Sequence, residues 1–431
     1  MVKLKHKAAL CCLTKNTMYT TVFYIIIGII IVESLWEFFL KELNRKSWTL
    51  SVPEKLKDIY PDDKFQKHKE YRKANYSFSL ISSTISTLII LSVLALHGFA
   101  YIDNIAQSIS SNPIIQSLIF FGIIGFVSTL ISLPFSIYDT FVIETKFGFN
   151  KTTPSVFIMD VIKTLILGAV IGGLILTLFT WFYNWTGEYF WLYAWLVASL
   201  FMIFFSKFYT SLILPLFNKL EPLKQGELKR DIETMSKRAG FTISNVFVMD
   251  GSKRSTKANA FFSGFGKNKR IVLFDTLIND LSNDEIVAVL AHEIGHYRLK
   301  HTIRGTILGV IQTGLMLFLL GWFINHPSIA EAFGVNKPSF HIGLLGFGLL
   351  YAPISAVLGL GMTILSRHQE YQADAFAAKY ARASALGSAL KNISASALSN
   401  PTPHPWYVFF NYSHPPLLKR LEALDRFKLK N

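Results

Sequence analysis

The chain has 431 residues, of which 51% are hydrophobic and only 16% are charged, and its mean hydropathy is +0.36. Soluble globular proteins carry about 25% charged residues, so this composition excludes an ordinary soluble domain and indicates a protein embedded in a lipid bilayer. The net charge of +15 does not predict nucleic-acid binding, because no base-stacking or groove-reading motif accompanies it. The two cysteines, Cys11 and Cys12, are adjacent and predict neither a disulfide framework nor a metal site.

Seven apolar segments are long enough to cross a bilayer, which requires about 20 mostly apolar residues. They cover residues 16–40, 77–101, 114–138, 156–183, 189–206, 305–324 and 342–365. In the first segment, Glu33 and Glu37 lie one helical turn apart and either mark the membrane boundary or face a wet interior. In the fourth, Asp160 and Lys163 are spaced i,i+3 and are expected to neutralise each other partly.

Two polar stretches interrupt this pattern and predict a domain outside the bilayer. The predicted division is 1–216 for five spans and their loops, 217–302 for the first polar part, 303–365 for two more spans and 366–431 for the second polar part.

Because two spans separate the polar parts, both must lie on one side of the membrane, together with the loops 41–76 and 139–155. These segments carry most of the Lys and Arg, so the positive-inside rule predicts that this side is cytoplasmic. The N-terminal segment with its four lysines then lies outside, against that rule.

A helix that begins at Ser282 is predicted to carry a metal site. Ser282 and Glu285 form a capping box at its start. Residues four apart share a helical face, so the His292 and His296 rings point at one place, as tetrahedral zinc requires. Glu293 lies next to them. At this position it can act as the general base that takes a proton from a water molecule activated by zinc. Gly295 costs about 1 kcal/mol relative to Ala inside a helix, and the close approach of another segment or of a substrate would explain it.

A second acidic motif, after the seventh span, supplies a third ligand. Glu370 and Asp374 lie four residues apart on one helical face and return to the side of the membrane that holds His292 and His296. Glu370 is the candidate third ligand. Asp374 is the candidate partner that holds a ligating histidine in the correct tautomer.

Two further histidines compete with this ligand set. His368 lies about 160° around the helix from Glu370, and His301 follows the first motif too closely to fold back onto the same metal. For both motifs the alternative interpretation is an ordinary helix with solvated histidines or carboxylates.

Several motifs together resemble the type I CAAX prenyl proteases, which are integral membrane zinc metalloproteases. The motifs are AHEIGHYRLKH, SRHQEYQADAFA, GSKRSTKANAFFSGFGKNKRIVLFDTLI, SHPPLLKRLEAL, YDTFVIETKFGFNKTT and LPLFNKLEPL. The likeness runs from about the second span to the C-terminus, and the first seventy or so residues match only in general layout.

This resemblance implies one Zn²⁺ per chain on His292, His296 and Glu370, with Glu293 as the base. It also implies an all-α integral membrane protein in which about seven transmembrane helices form a barrel around a water-filled chamber. A small α+β zinc metalloprotease domain, from 217–302 and 366–431, completes the expected fold.

Residues 259–274 predict a β-hairpin with strands 259–265 and 270–274 around a turn at 266–269. An exposed strand edge can accept an extended peptide as an added strand. The alternative is a hairpin that only completes the domain. The resemblance favours substrate binding, with Asn259 and Ala260 at the peptide backbone.

The resemblance also assigns roles to two basic residues near the C-terminus. His414 precedes Pro415 and Pro416, which open a helix, and Arg420 lies on that helix. Both match family residues implied to stabilise the developing oxyanion.

The predicted function is a membrane-embedded zinc metalloendopeptidase that carries out CAAX-type C-terminal processing of prenylated proteins. Its partners would be a prenylated peptide or protein substrate and the bilayer, without nucleic acid. In a bacterium, quality control of membrane proteins would replace prenyl specificity. A seven-span transporter or receptor is the alternative of another class, and it would not need Glu293 beside two histidines. The expected location is the endoplasmic reticulum membrane of a eukaryote or the cytoplasmic membrane of a bacterium.

Overall fold

The computed structural model describes residues 20–49, 51–241, 246–263 and 270–428, and most of these residues are helical. The α-helices are α1 Thr21–Lys46, α2 Asp62–Ala95, α3 Gly98–Ile109, α4 Pro113–Tyr138, α5 Pro154–Leu167, α6 Gly173–Thr186, α7 Phe190–Leu212, α8 Leu214–Phe217, α9 Glu227–Arg238, α10 Asp275–Asp280, α11 Asn283–Arg298, α12 His301–Phe323, α13 Pro327–Ala332, α14 Phe340–Tyr380, α15 Ala383–Ser396, α16 Pro405–Asn411 and α17 Leu417–Lys428. The strands are β1 Leu220–Pro222, β2 Val246–Met249, β3 Ala260–Ser263 and β4 Arg270–Phe274. Cys11, Cys12 and the predicted turn 266–269 lie outside the described residues.

Six helical segments in the described ranges are long and apolar enough to cross a bilayer. One of them, Pro154–Phe217, has 64 residues and is interrupted at Gly187, whose φ of 55° suits glycine better than other residues. The rings of Tyr183 and Phe190 meet edge to face across this break. The segment therefore turns back on itself and supplies two of the predicted spans, so the architecture of about seven spans is confirmed.

The ends of the helices differ from the predicted spans. The first helix continues to Lys46, well past residue 40. The second ends at Ala95 rather than at 101, because His97 is left-handed (φ 53°) and starts α3 in a new direction. Hydropathy shows which residues suit lipid, but backbone hydrogen bonding decides where a helix stops.

The spanning helices form a closed ring. Neighbours pack in the order α1, α2, α3, α4, α6, α7, α12 and α14, and α14 returns to α1. In the most apolar window of Pro154–Phe217, no side chain is buried inside the protein. A helix that contacts lipid on one face and a chamber on the other is expected to show this low burial.

A buried polar cluster joins α14 to α3 and α4 at the beginning of α14. His341 Nε2 lies 2.7 Å from Asp103 Oδ1, and His341 Nδ1 lies 3.3 Å from Ser117 Oγ. This cluster holds the ring together at the end away from Glu370, which follows about eight helical turns later.

The loop between α1 and α2, together with the beginning of α2, lies against the C-terminal part of the chain. The Tyr60 hydroxyl donates to the carbonyl oxygens of Ser394 (3.1 Å) and Ser399 (2.7 Å). His68 Nδ1 lies 3.0 Å from the carbonyl oxygen of Leu398. These contacts agree with the order of the predicted spans, which places both segments on the same side of the membrane.

Asp160 forms its direct ion pair with Arg254, so the partial neutralisation expected from Lys163 is an electrostatic effect without a direct contact. Arg254 donates two hydrogen bonds to Asp160, of 2.7 and 2.9 Å, while Lys163 Nζ donates to the carbonyl oxygen of Leu216. A planar guanidinium matches a carboxylate at two points, which a single ammonium cannot do.

In α1, Glu37 pairs with Lys41 at 2.6 Å, which fits the interpretation that Glu37 marks the membrane boundary.

The two polar parts share one hydrophobic core, formed by buried side chains from both. Its members include Ile232, Leu277 and Ile286 from the first part and Leu386 and Leu424 from the second. Beside this core the strands form a sheet in the order β1-β2-β4-β3, in which only β2 and β4 run parallel. The domain boundaries at 216, 302 and 365 stay predictions.

Candidate metal centre and active site

The capping box at the start of α11 is confirmed, and its carboxylate also holds a second helix. Glu285 Oε2 accepts from the backbone N–H of Ser282 at 2.9 Å. Its other oxygen accepts from Ser388 Oγ (2.6 Å) and Asn392 Nδ2 (2.9 Å) on α15. One side chain therefore starts the helix of the metal-binding motif and ties it to the C-terminal part.

We expect Glu285→Ala to lower the free energy of unfolding by about 2 kcal/mol at neutral pH, because both a cap and buried hydrogen bonds are lost. Burial raises the pKa of Glu285, but hydrogen bonds from Ser388, Ser282 and Asn392 outweigh burial and hold the pKa below its usual value. The stabilisation is therefore present above the unfolded-state pKa of about 4.3 and is lost as the pH falls through the lower folded-state pKa.

Thermal unfolding in detergent at several pH values measures this effect. The matched control is Asp284→Ala, which removes an exposed carboxylate whose partner Arg382 is also exposed, with an expected loss of about 0–1 kcal/mol. Equal losses in the two variants would contradict the prediction.

Gly295 lets α14 approach α11 closely, as its position in the motif predicts. A Cβ atom at this position would lie 3.1 Å from Phe376 Cβ and 3.2 Å from Ala373 Cα. Since α14 carries Glu370, this approach brings the carboxylate to the two histidines.

His292, His296 and Glu370 form the one group of potential metal ligands found among the described residues. The two Nε2 atoms are 3.1 Å apart, and Glu370 oxygens lie 3.2 Å from His296 Nε2 and 3.5 Å from His292 Nε2. Two ligands that are each about 2.0–2.1 Å from a tetrahedral zinc lie roughly 3.3 Å from one another. Each of the three side chains can offer one ligand atom, and these spacings therefore fit one zinc ion.

The charges of the group also fit a cation. Glu370 Oε2 is buried and has no hydrogen-bond partner. Two Nε2 atoms at 3.1 Å are favourable only when a proton or a metal ion lies between them. Burial lowers the pKa of His292, but the neighbouring carboxylates of Asp374 (2.9 Å) and Glu370 (3.5 Å) outweigh burial and raise this pKa to about 9. Without a cation this group therefore retains a proton that a metal would displace.

Asp374 contacts the other ring nitrogen of His292. Its Oδ1 lies 2.9 Å from His292 Nδ1, and it accepts two bonds from Arg420, of 2.6 Å from Nη2 and 2.9 Å from Nε. Asp374 and Arg420 are both buried. Two of the three guanidinium nitrogens of Arg420 are thus engaged by Asp374, while Nη1 lies 3.4 Å from Glu370 Oε2.

Glu293 is half-buried within electrostatic reach of His292, His296 and Glu370, and His414 is exposed beside Glu370. Burial raises the pKa of Glu293, which suits a general base that works near neutral pH. His414 Nε2 lies 3.3 Å from Glu370 Oε1, and its Nδ1 is 2.9 Å from Ser413 Oγ. The structure therefore brings His414 and Arg420 to the metal ligands, while His368 and His301 lie outside the ligand group.

The predicted hairpin is present within the described residues, and β3 lies at the edge of the sheet. Ala260 pairs with Leu273, and the carbonyl oxygen of Asn259 accepts from the N–H of Phe274. In the described ranges no strand covers the other edge of β3, which packs against α11. Asn259 is exposed. An open strand edge thus lies next to the helix of the metal-binding motif.

The loop before β3 is fixed by a network that the sequence reasoning missed. Lys257 Nζ donates to Glu144 (2.7 Å), which also accepts from the Tyr71 hydroxyl (2.6 Å), and Arg254 makes the bidentate pair with Asp160. The sequence contained one signal for this network. Two basic residues precede the strand, and carboxylates occur in the loop 139–155 and at the start of the span that follows it.

Comparison with known proteins gives matches over most of the chain. A family model described as the CAAX prenyl protease N-terminal domain, with five membrane helices, matches residues 42–219, and the model of peptidase family M48 matches residues 222–428. A CAAX prenyl protease 1 homolog of Homo sapiens is 35% identical, over 91% of this chain and 93% of that protein. CAAX prenyl protease 1 of Saccharomyces cerevisiae is 36% identical, over 87% and 88%. The crystal structure of S. mikatae Ste24p superposes with a TM-score of 0.90 at 36% identity and covers 94% of this chain and 99% of that one.

Proposed function

Because this chain belongs to peptidase family M48 and also carries the CAAX prenyl protease membrane domain, we propose that it removes C-terminal residues from prenylated proteins by zinc-dependent hydrolysis. The chain is a multi-pass membrane metalloprotease. The observation that carries the proposal is the convergence of His292, His296 and Glu370, with Glu293 beside them, in a chain similar to these proteases over nearly its whole length.

The proposed metal is one Zn²⁺ held by His292, His296 and Glu370. When bound, zinc would act as a Lewis acid, which lowers the pKa of a water molecule to about 7 and polarises a carbonyl group. Glu293 accepts the proton of the attacking water and passes it to the leaving amine. Asp374 fixes the hydrogen of His292 on Nδ1, so that the Nε2 lone pair points into the metal group.

The remaining polar groups act on the substrate or hold the machinery in place. His414 donates to the oxygen of the scissile carbonyl as negative charge develops on it. Arg420 balances the charge of Asp374 and presents Nη1 to the same region. The peptide pairs with the open edge of β3 at Asn259 and Ala260, which sets the position of the scissile bond.

The proposed location of the active site is the cytoplasmic side of the membrane. The support is the excess of Lys and Arg in the segments on that side. The matched relatives named above are eukaryotic proteins, and in a eukaryote we place the chain in the endoplasmic reticulum membrane.

The decisive experiment compares a farnesylated CAAX peptide with the same peptide without its lipid. The detergent-purified protein is expected to cleave the farnesylated peptide at least about 10-fold faster, because binding of the lipid contributes to kcat/KM. Bound zinc is measured in the same samples, and Glu293→Gln is the inactive control. Equal cleavage of both peptides would replace the proposal with a broader membrane protease of the quality-control type. Cleavage that survives Glu293→Gln would overturn the mechanism.

A further inference from the structure

We propose that His301 and Gln372 form a hydrogen-bonded chain that fixes the tautomer of the metal ligand His296. The proposal rests on the proposed function, because it assumes that His296 binds zinc through Nε2. It assigns His301 a positioning role in which it touches neither metal nor substrate.

The chain of contacts begins at the ring nitrogen of His296 that faces away from Glu370. His296 Nδ1 lies 3.1 Å from His301 Nδ1, and His301 Nε2 lies 2.9 Å from Gln372 Oε1. The amide nitrogen of Gln372 lies 3.1 Å from His368 Nε2, so the amide presents its oxygen to His301 and its nitrogen to His368. The side chains of His296, His301, Gln372 and His368 thus form one continuous series of polar contacts.

The chemistry of the amide determines where each hydrogen lies. An amide oxygen only accepts, so His301 Nε2 must carry the hydrogen, and in a neutral ring His301 Nδ1 is then an acceptor. His296 must therefore donate from Nδ1, which leaves the lone pair of His296 on Nε2. That atom is the one 3.2 Å from Glu370 and 3.1 Å from His292 Nε2.

The backbone between the two histidines is shaped for this contact. Helix α11 ends at Arg298, and Lys300 is left-handed with φ 59° before α12 starts at His301. This conformation costs a residue with a side chain about 1–2 kcal/mol. The resulting turn places the His301 ring, only 4% exposed, against His296.

The two ligating histidines therefore have partners of different kinds. His292 donates to the carboxylate of Asp374, whose charge Arg420 balances, whereas His296 donates to a neutral imidazole. Loss of an outer partner of this kind weakens metal binding by about 10–100-fold in known sites.

The test measures zinc affinity by competition with a chromogenic chelator, using the full-length protein in detergent. We expect His301→Phe, which keeps the ring volume but cannot accept a hydrogen bond, to bind zinc about 10–100-fold more weakly than the wild type. His301→Asn places an amide oxygen close to the position of Nδ1 and is expected to restore most of the affinity. His368→Ala removes only the exposed end of the chain and is expected to leave the affinity within about twofold of the wild type.

Wild-type affinity in His301→Phe would overturn the inference, as would equal weakness of the Phe and Asn variants, since packing alone would then explain the site. Should His301→Phe fail to fold, Gln372→Leu removes the acceptor and leaves His301 in place. The inference then requires a smaller loss of affinity in the same direction, and an unchanged affinity would overturn it.

Glu370→Ala separates the two proposals. If the wild type binds zinc no better than Glu370→Ala, the proposed metal site itself fails. If zinc binding needs Glu370 but not His301, only this inference fails.

Discussion

Replacing Glu293 with Gln is expected to lower kcat/KM by about 10²–10⁴-fold while the zinc content stays unchanged. Gln has nearly the same shape as Glu, but its amide cannot accept the proton of the attacking water. Glu293 is not among the three side chains that converge as ligands, so its replacement leaves the metal group intact. The measurement is hydrolysis of a quenched peptide together with metal analysis of the same preparation.

The matched control is Glu422→Gln, which changes a partly exposed carboxylate paired with Lys419 on α17. It is expected to keep both activity and zinc. Activity of Glu293→Gln within tenfold of the control would exclude Glu293 as the base. Loss of zinc together with activity would instead show that Glu293 is needed to build the metal site.

Arg420→Ala is expected to lower the free energy of unfolding by about 3–5 kcal/mol, because it removes the guanidinium that pairs with the buried carboxylate of Asp374. Asp374 is only 1% exposed and receives both of its strong charged bonds from Arg420. Arg420→Lys is expected to recover only part of the loss, since an ammonium cannot donate the two parallel bonds. Thermal unfolding in detergent, without added zinc, reports the change.

The control for Arg420 is Lys55→Ala, which breaks the pair between Lys55 and Asp425. That pair has a similar length, 2.6 Å, but both side chains are almost half exposed, so the expected cost is about 0–1 kcal/mol. The double variant Arg420→Ala/Asp374→Ala should be less destabilised than the sum of its single variants, because neither charge is then left alone. Additive losses would show that the pair does not act as a unit.

Features set by local periodicity could be predicted from the sequence. The i,i+4 spacing places His292 with His296 and Glu370 with Asp374, since helical geometry is the same in any protein. The capping box of Ser282 depends on a residue only three positions away. The spans were recognisable because the bilayer imposes one length and one composition on each of them.

Features that depend on distant contacts could not be predicted. Asp160 has Lys163 within one turn, yet it pairs with Arg254, 94 residues further along the chain. His301 lies outside the group of potential ligands, and its contact with the second nitrogen of His296 depends on the backbone of Lys300, which no residue preference indicates. The strands β1 and β2 have only three and four residues, too few for a periodic pattern.

The continuous helix α14 fixes the distance between the end of its apolar run and Glu370. Its apolar run ends at Leu365, and Glu370 follows on the same uninterrupted helix, about 7.5 Å further along the axis at 1.5 Å per residue. An extended peptide covers about 3.3 Å per residue, so two or three residues span the gap from the edge of the apolar layer to the metal ligands. A substrate held in the bilayer by a lipid would therefore present only the bonds nearest to its anchor. Under the proposed function, the fixed length of this helix would determine which peptide bond, counted from the lipid-bearing residue, reaches the candidate metal ligands.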